Sequence, residues 1–182
     1  MHGIPPLCGE DEQPRRMIPM PRLRLGYFIL IVGVMSLVVA ACAEPIVLHV
    51  AVDGSDNIYV STTLGYRVLK LNATGEAQWA VGTPGVWGSD NAHFGDWWSG
   101  PNDVAVDASG NVYVADTANC RVQIFNSSGN YVTTLGSYGS GNYQFDGPHG
   151  VAIDSSGNIY VADTENYRVQ IFNSSQVYVA TI

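Results

Sequence analysis

From Val104 the chain alternates short apolar runs with polar breaks. Val104-Ala105-Val106-Asp107 is followed by Ser109-Gly110-Asn111, then Val112-Tyr113-Val114-Ala115, then the polar stretch Asp116 to Cys120. Arg121-Val122-Gln123-Ile124-Phe125, a second break at Asn126–Asn130, and Tyr131-Val132-Thr133-Thr134-Leu135 complete the unit at Gly136. Runs of this length, rich in β-branched and aromatic residues and bounded by Gly, Asn, Asp and Ser, predict four short strands. Gly and Asn tolerate positive φ, so Ser109–Asn111 reads as a hairpin turn. Val104, Val106, Val112, Val114, Val122 and Ile124 are expected on one face, and Ala105, Tyr113, Ala115 and Phe125 on the other. A sheet with one wet face alternates strictly between apolar and polar; here both faces read as apolar, so each sheet needs a neighbour on either side.

The unit recurs. PNDVAVDASGNVYVADTANCRVQIFNSS, from Pro101, and PHGVAIDSSGNIYVADTENYRVQIFNSS, from Pro148, agree at 21 of 28 positions with a constant offset of 47. A weaker copy, VAVDGSDNIYVSTTLGYRVLKLNATG, runs from Val50 to Gly75 at an offset of 54 from the middle one. Periods of this size point to a repeat architecture, and four antiparallel strands per repeat make one β-propeller blade. The pattern P-x-x-V-A-V/I-D-x-x-G-N-x-Y-V-A-D-T-x-N-x-R-V-Q-I-F resembles the NHL repeat. The expected fold is therefore all-β, a propeller of four-stranded antiparallel NHL-type blades with three blades present: 46–82, 101–136 and 148–182. The loops 83–100 and 137–147 join them. Closed propellers have four to eight blades, so two expectations follow: the chain is part of a longer one, or two copies pair as a homodimer of three plus three. In the first copy Asp56 stands where the others have Gly110 and Gly157, and Ser61 is read as replacing the turn Asp of Asp116 and Asp163.

The chain has 182 residues, 46% of them hydrophobic, and 20 glycines that suit many turns. Residues 1–19 carry Pro and mixed charge without periodicity, as expected of a disordered or untranslated leader. Residues 20–42 read as an export signal: Arg22 and Arg24, the uncharged apolar run Tyr27 to Ala41, then small residues before Cys42. Val39-Ala40-Ala41-Cys42 resembles the bacterial lipobox, which implies cleavage before Cys42 and lipidation of its thiol. An uncleaved anchor or a plain signal peptide are the alternatives; all three put the repeats outside the cytoplasm, at the cell envelope or secreted. With Cys42 acylated and Cys8 removed, Cys120 would lack a disulfide partner. Residues 43–182 hold four basic and thirteen acidic side chains, a formal charge of −9, which argues against nucleic acid, since phosphate binding needs Lys and Arg.

Candidate chemistry is sparse. The recurring Asp107 and Asp154, and Asp116 and Asp163, read as turn residues, because a catalytic group need occur only once. His149 sits before an inner strand, at a position that is Asn102 in the middle copy, and repetition does not account for it. Gly147-Pro148-His149-Gly150 and the loop from Gly88 to Phe94 resemble parts of the peptidylglycine amidating lyase propeller, where Pro-His segments of several blades supply zinc ligands. Only His149 occupies such a position here, so as a metal ligand it is a weak candidate, and three or four converging ligands are needed. The loop 83–100 carries Trp87, Trp97, Trp98, His93 and Phe94, aromatics that stack on sugars or peptides. The expected binding face comprises His149, Asn102, Asp103, His93, Trp87, Trp97, Trp98, Thr117 and Thr164. The expected role is a binding scaffold for a protein, peptide or glycan, without catalytic residues or cofactor. The alternative is a metal-dependent propeller enzyme, amidating-lyase-like or lactonase-like, using zinc or calcium.

Overall fold

The structure, a computed structural model, describes residues 47–96 and 99–182. The leader, the signal segment with Cys42, and Trp97 and Trp98 lie outside the described residues. Three four-stranded antiparallel sheets follow one another along the chain. Blade 1 is β1 (Val47–Val52), β2 (Ile58–Thr62), β3 (Arg67–Leu71) and β4 (Ala77–Val81). Blade 2 is β5 (Asp103–Val106), β6 (Val112–Asp116), β7 (Arg121–Phe125) and β8 (Tyr131–Leu135). A two-stranded parallel ribbon, β9 (Ser137–Tyr138) with β10 (Gln144–Phe145), lies in the loop before blade 3. Blade 3 is β11 (Pro148–Ile153), β12 (Ile159–Asp163), β13 (Arg168–Phe172) and β14 (Tyr178–Thr181). Each blade is a simple up-and-down meander, as its four evenly spaced runs predict.

The turns form for local reasons. Asp107 accepts hydrogen bonds from the N–H groups of Ser109 and Asn111 and from the Asn111 amide, and Asp53 and Asp154 repeat this in their own blades. These Asx turns satisfy backbone donors that the hairpin leaves unpaired. Asp56 has φ 61, the conformation of Gly110 and Gly157, so the substitution in the first copy preserves the turn. The third turn works the same way: Asn126 accepts from the N–H groups of Ser128 and Asn130, and Asn72 and Asn173 follow suit.

Two hydrophobic clusters hold the blades together. Val104, Val112, Val114 and Phe125 of blade 2 pack on Tyr59 and Val68 of blade 1 and on Phe94 of the loop. Ala105, Tyr113, Ala115, Val122, Ile124 and Leu135 pack on Val151, Ile159, Val161 and Phe172 of blade 3 and on Phe145. Blade 2 is thus buried on both sides. At about 1.5–3 kcal/mol for each large apolar side chain taken from water, these two seams dominate the stability of the fold.

Two expectations need correction. Val122 and Ile124 lie with Ala105, Tyr113 and Ala115, while Phe125 lies with the valines. The register pairs Val112 with Phe125 and Ala115 with Val122, and directly opposed residues share a face; the parity of the β6–β7 turn, which apolar pattern alone does not reveal, sets this. The residue in register with Arg67 is Thr62, as Asp116 is with Arg121, so Thr62 rather than Ser61 replaces the turn Asp. Cys120 is buried and disulfide-bonded in the full chain, which holds Cys8 and Cys42; the expectation of no partner concerned the cleaved, acylated chain.

Candidate functional site

The first strands β1, β5 and β11 lie side by side, and polar side chains at their beginnings meet. Asp103 is the centre of the group. Its Oδ1 lies 3.1 Å from His49 Nδ1 on blade 1, and its Oδ2 accepts the Val151 N–H of blade 3 at 2.8 Å. One carboxylate therefore links three blades.

His149 lies one position earlier, where the β11–β12 register shifts between Pro148 and Gly150. A bulge re-aims a side chain out of the regular alternation, and His149 is exposed. The Asn102 amide Nδ2 donates to its Nδ1 at 3.0 Å, which leaves Nε2–H as the ring's outward donor. Asn102 is in turn approached by the Thr63 hydroxyl at 3.4 Å. Thr63 Oγ1 donates to the Pro101 carbonyl, and the equivalent Thr117 donates to the Pro148 carbonyl at 2.8 Å. Each of these threonines ties its blade to the next. Thr164, their counterpart on blade 3, is exposed and reaches only the Ala162 carbonyl, at 3.4 Å.

The structure therefore brings together Asn102, Asp103, His149 and Thr117 among the residues singled out from sequence. It adds His49 and Thr63. The signal for Thr63 was available, since it is the third member of the Thr117 and Thr164 series. His49 carried none, because its role depends on a carboxylate in another blade.

His93 and the loop around it do different work. The His93 ring nitrogen Nδ1 lies 2.8 Å from the Asp90 carboxylate, and Nε2 lies 3.4 Å from the Thr83 hydroxyl. The Ala92 N–H and this imidazole hold the Asp90 carboxyl below the usual range. The His93 carbonyl accepts from Arg121 Nη2 and Gln123 Nε2. Arg121 also donates to the carbonyls of Ser89 and Asp90, and its Nε meets Asp116 Oδ2 at 2.7 Å. Asp116 accepts as well from Gly95 N–H, Asn119 and Gln123. Burial pushes the Asp116 carboxyl up, and the Arg121 guanidinium, the Gly95 N–H and the Asn119 amide oppose that rise. Blade 3 repeats the clamp with Asp163, Arg168, Gln170 and the carbonyls of Ser140, Gly141 and Gln144. Asp116 and Asp163 are thus buried hubs that fasten each inter-blade loop. In the first copy, which has Thr62, the Nε of Arg67 is buried without a hydrogen-bond partner.

Trp87 is 43% exposed on the same loop. The β6–β7 and β12–β13 turns open at the same end of the blades as the polar group, because strand direction alternates; Tyr167 there is 92% exposed. The opposite end is built of Asx turns, with a cleft of about 420 Å³ between blades 2 and 3 lined by Asp107, Asn111, Asp154 and Ser174. The carboxylates of that cleft are engaged by their own turns. Among the described residues no three His, Cys, Asp or Glu side chains come together in a metal-holding group.

Three consecutive four-stranded blades with inner strands meeting at a polar centre define a β-propeller architecture. The family model for the NHL repeat matches residues 99–125 and 145–172, over the first three strands of blades 2 and 3. No curated protein matches the sequence. Solved structures match the fold: hydrazine synthase of Kuenenia stuttgartiensis (TM-score 0.58, 16% identity, 78% of this chain and 37% of that one) and U3-55K (TM-score 0.60, 16% identity, 77% and 40%). A protein of unknown function from Bacteroides caccae matches with TM-score 0.55 and 19% identity over 79% of this chain and 48% of its own. The chain spans between about a third and a half of the length of these structures.

Proposed function

We propose that this protein is an exported NHL-repeat scaffold at the cell envelope. It binds a protein, peptide or glycan at the end of the propeller where β1, β5 and β11 meet. The observation that carries this is the bulged, exposed His149, held by Asn102 with a ring N–H left to donate outward. Residues at this position differ in every blade (Leu48, Asn102, His149) while the packing positions repeat. That is the distribution expected when the framework is shared and the lining is specialised. Trp87 and Tyr167, exposed on loops at the same end of the blades, offer apolar surface suited to sugars or peptide side chains. Glycan and peptide arrays probed with the protein and with His149→Ala test the reading. Binding lost in the variant at unchanged melting temperature supports it; identical binding profiles overturn it.

A metal-dependent enzyme is the competing reading, carried by His149 in a Pro-His segment. Stoichiometric zinc or calcium in the purified protein, lost on His149→Ala, would favour it. Export rests on the apolar run Tyr27 to Ala41 and on Val39-Ala40-Ala41-Cys42. The disulfide at Cys120 bears on lipidation, because the other cysteines are Cys8 and Cys42. A chain cut before Cys42 and acylated there keeps neither thiol for Cys120. Mass spectrometry decides: an acylated Cys42 peptide supports anchoring, and a Cys42–Cys120 linked pair refutes it.

A further inference from the structure

The two inter-blade loops carry one segment twice. Gly88-Ser89-Asp90-Asn91-Ala92-His93-Phe94 matches Gly139-Ser140-Gly141-Asn142-Tyr143-Gln144-Phe145 at an offset of 51. Both are gripped alike, through carbonyls at matching positions, by Arg121 and Arg168. They differ at Ala92, whose counterpart is Tyr143. The Tyr143 ring lies on Phe172 and Tyr178, at centroid distances of 5.3 and 6.3 Å, and its hydroxyl oxygen accepts the Tyr178 N–H at 2.7 Å. The seam between blades 1 and 2 has the same two walls: Phe125 meets Tyr131 edge-on at 6.1 Å and 75°, as Phe172 meets Tyr178. Ala92 brings no ring to them, and a groove of about 370 Å³ lies there, lined by Phe125, Tyr131 and Ala92.

The polar groups nearby show the same mismatch. Tyr143 gives its N–H to Gln170 Oε1 at 3.2 Å, whereas Ala92 gives its own to Asp90 Oδ1 at 2.8 Å. Gln123 Oε1, the counterpart of the Gln170 acceptor, is buried without a hydrogen-bond partner. Tyr131 pairs with Phe125 across a shifted register, as Tyr178 does with Phe172, so its N–H stands where Tyr178 offers one to a phenol oxygen. We propose that this groove binds a tyrosine side chain of a partner polypeptide. The ring rests on Phe125 and Tyr131, as Tyr143 rests on their counterparts, and its hydroxyl oxygen takes the Tyr131 N–H. Aromatic rings at these separations attract beyond the effect of burial alone. Thr83 and Asn130 also line the groove and offer a hydroxyl and an amide to the partner's main chain. None of these residues belongs to the group around His149, so this is a second site.

The test uses the full chain, labelled with nitrogen-15 in mild detergent, and the peptide Ac-Gly-Tyr-Gly-NH2 followed by amide NMR. The peptide is water-soluble and carries the side chain alone. Saturable shifts are expected at the amides of Ala92, Gly129 and Tyr131, with a dissociation constant of about 1–10 mM, as suits one side chain. Ac-Gly-Phe-Gly-NH2, which lacks the hydroxyl, should bind several-fold more weakly, and Ac-Gly-Leu-Gly-NH2 should leave these amides unmoved. Ala92→Tyr, which supplies a ring from within, should weaken binding at least tenfold. Tyr143→Ala opens the matching place in the next seam and should add a second set of shifts at Gln176 and Tyr178. Amide spectra otherwise superimposable on the wild type show that each variant is folded. Unmoved amides in the wild type, equal binding of the leucine peptide, undiminished binding to Ala92→Tyr, or no second set in Tyr143→Ala overturns the proposal.

Discussion

Asp116 offers the sharpest test of what fastens the blades. Its side chain is fully buried and its Oδ2 lies 2.7 Å from Arg121 Nε. Asp116→Asn keeps the volume and one acceptor but removes the charge and turns an N–H donor or a neutral oxygen toward the guanidinium. Arg121 is itself buried, so its charge is left without a counter-charge in a poorly solvated place. Breaking one partner of a buried pair costs about 3–5 kcal/mol. That is a large part of the roughly 5–15 kcal/mol that holds a typical domain folded. In urea, with a slope of about 2 kcal/mol per molar, the midpoint should fall by roughly 2 M. Arg121→Met in the same background should recover part of the loss, since both charges are then gone while the carbonyls of Ser89 and Asp90 lose their donor. The coupling in the double-mutant cycle should exceed about 1 kcal/mol, well beyond the few tenths seen for independent sites. A loss under about 1 kcal/mol for Asp116→Asn, or two single losses that simply add, would refute the account of Asp116 as a charge-bearing hub.

Thr62→Asp should supply blade 1 with the carboxylate that Arg67 Nε lacks, and raise stability by about 1.5–3 kcal/mol in the same urea assay; no gain would mean that Arg67 is solvated by other means. Phe145→Ala should cost about 3–5 kcal/mol, because the ring is fully buried against Phe172 and fills the space that Gly136, at φ +89, leaves open; hydrogen exchange should show blade 3 loosening first. For pH, burial works against the Asp53 carboxylate, but hydrogen bonds from Asn57, Ser55 and Tyr59 outweigh it and hold the group down to about 2. The folded value lies below the unfolded one, so this turn's contribution is complete above about pH 4 and lost as pH falls toward 2. Asp53→Asn should therefore flatten the acid limb of a melting-temperature profile, and an unchanged limb would count against the turn's role.

The strands and their grouping could be read from the chain because each blade repeats the same short apolar runs and the same Asx turns. Local chemistry at Asp107 or Asn126 needs no distant partner. What could not be read depends on register across a turn. The side taken by Phe125 follows from which residues pair across the β6–β7 hairpin, whereas Thr62 as the counterpart of Asp116 is already given by the offset of 54 and the register agrees. For the candidate site, His149 and Asn102 stood out because they break the repeat. His49 did not, since its meaning comes from Asp103 in the neighbouring blade. Asp116 and Asp163 looked like ordinary turn residues, and only the loop carbonyls gathered by Arg121 and Arg168 reveal them as hubs.

The clamp grips main chain, and its spacing is the same in both loops. Arg121 and Gln123 take the oxygens of residues 89, 90 and 93, and Arg168 and Gln170 those of residues 140, 141 and 144. The N–H that caps each aspartate follows two residues later, at Gly95 and Asp146. Within this short arc the buried Phe94 and Phe145 and the tight Gly95 are also fixed, whereas exposed positions such as 89 and 140 are gripped only through their carbonyls. Extra residues can therefore be spliced in before position 89 or after position 95, as the longer first connection already illustrates. The connectors are thus the natural place to graft new recognition segments without disturbing the sheets beneath them.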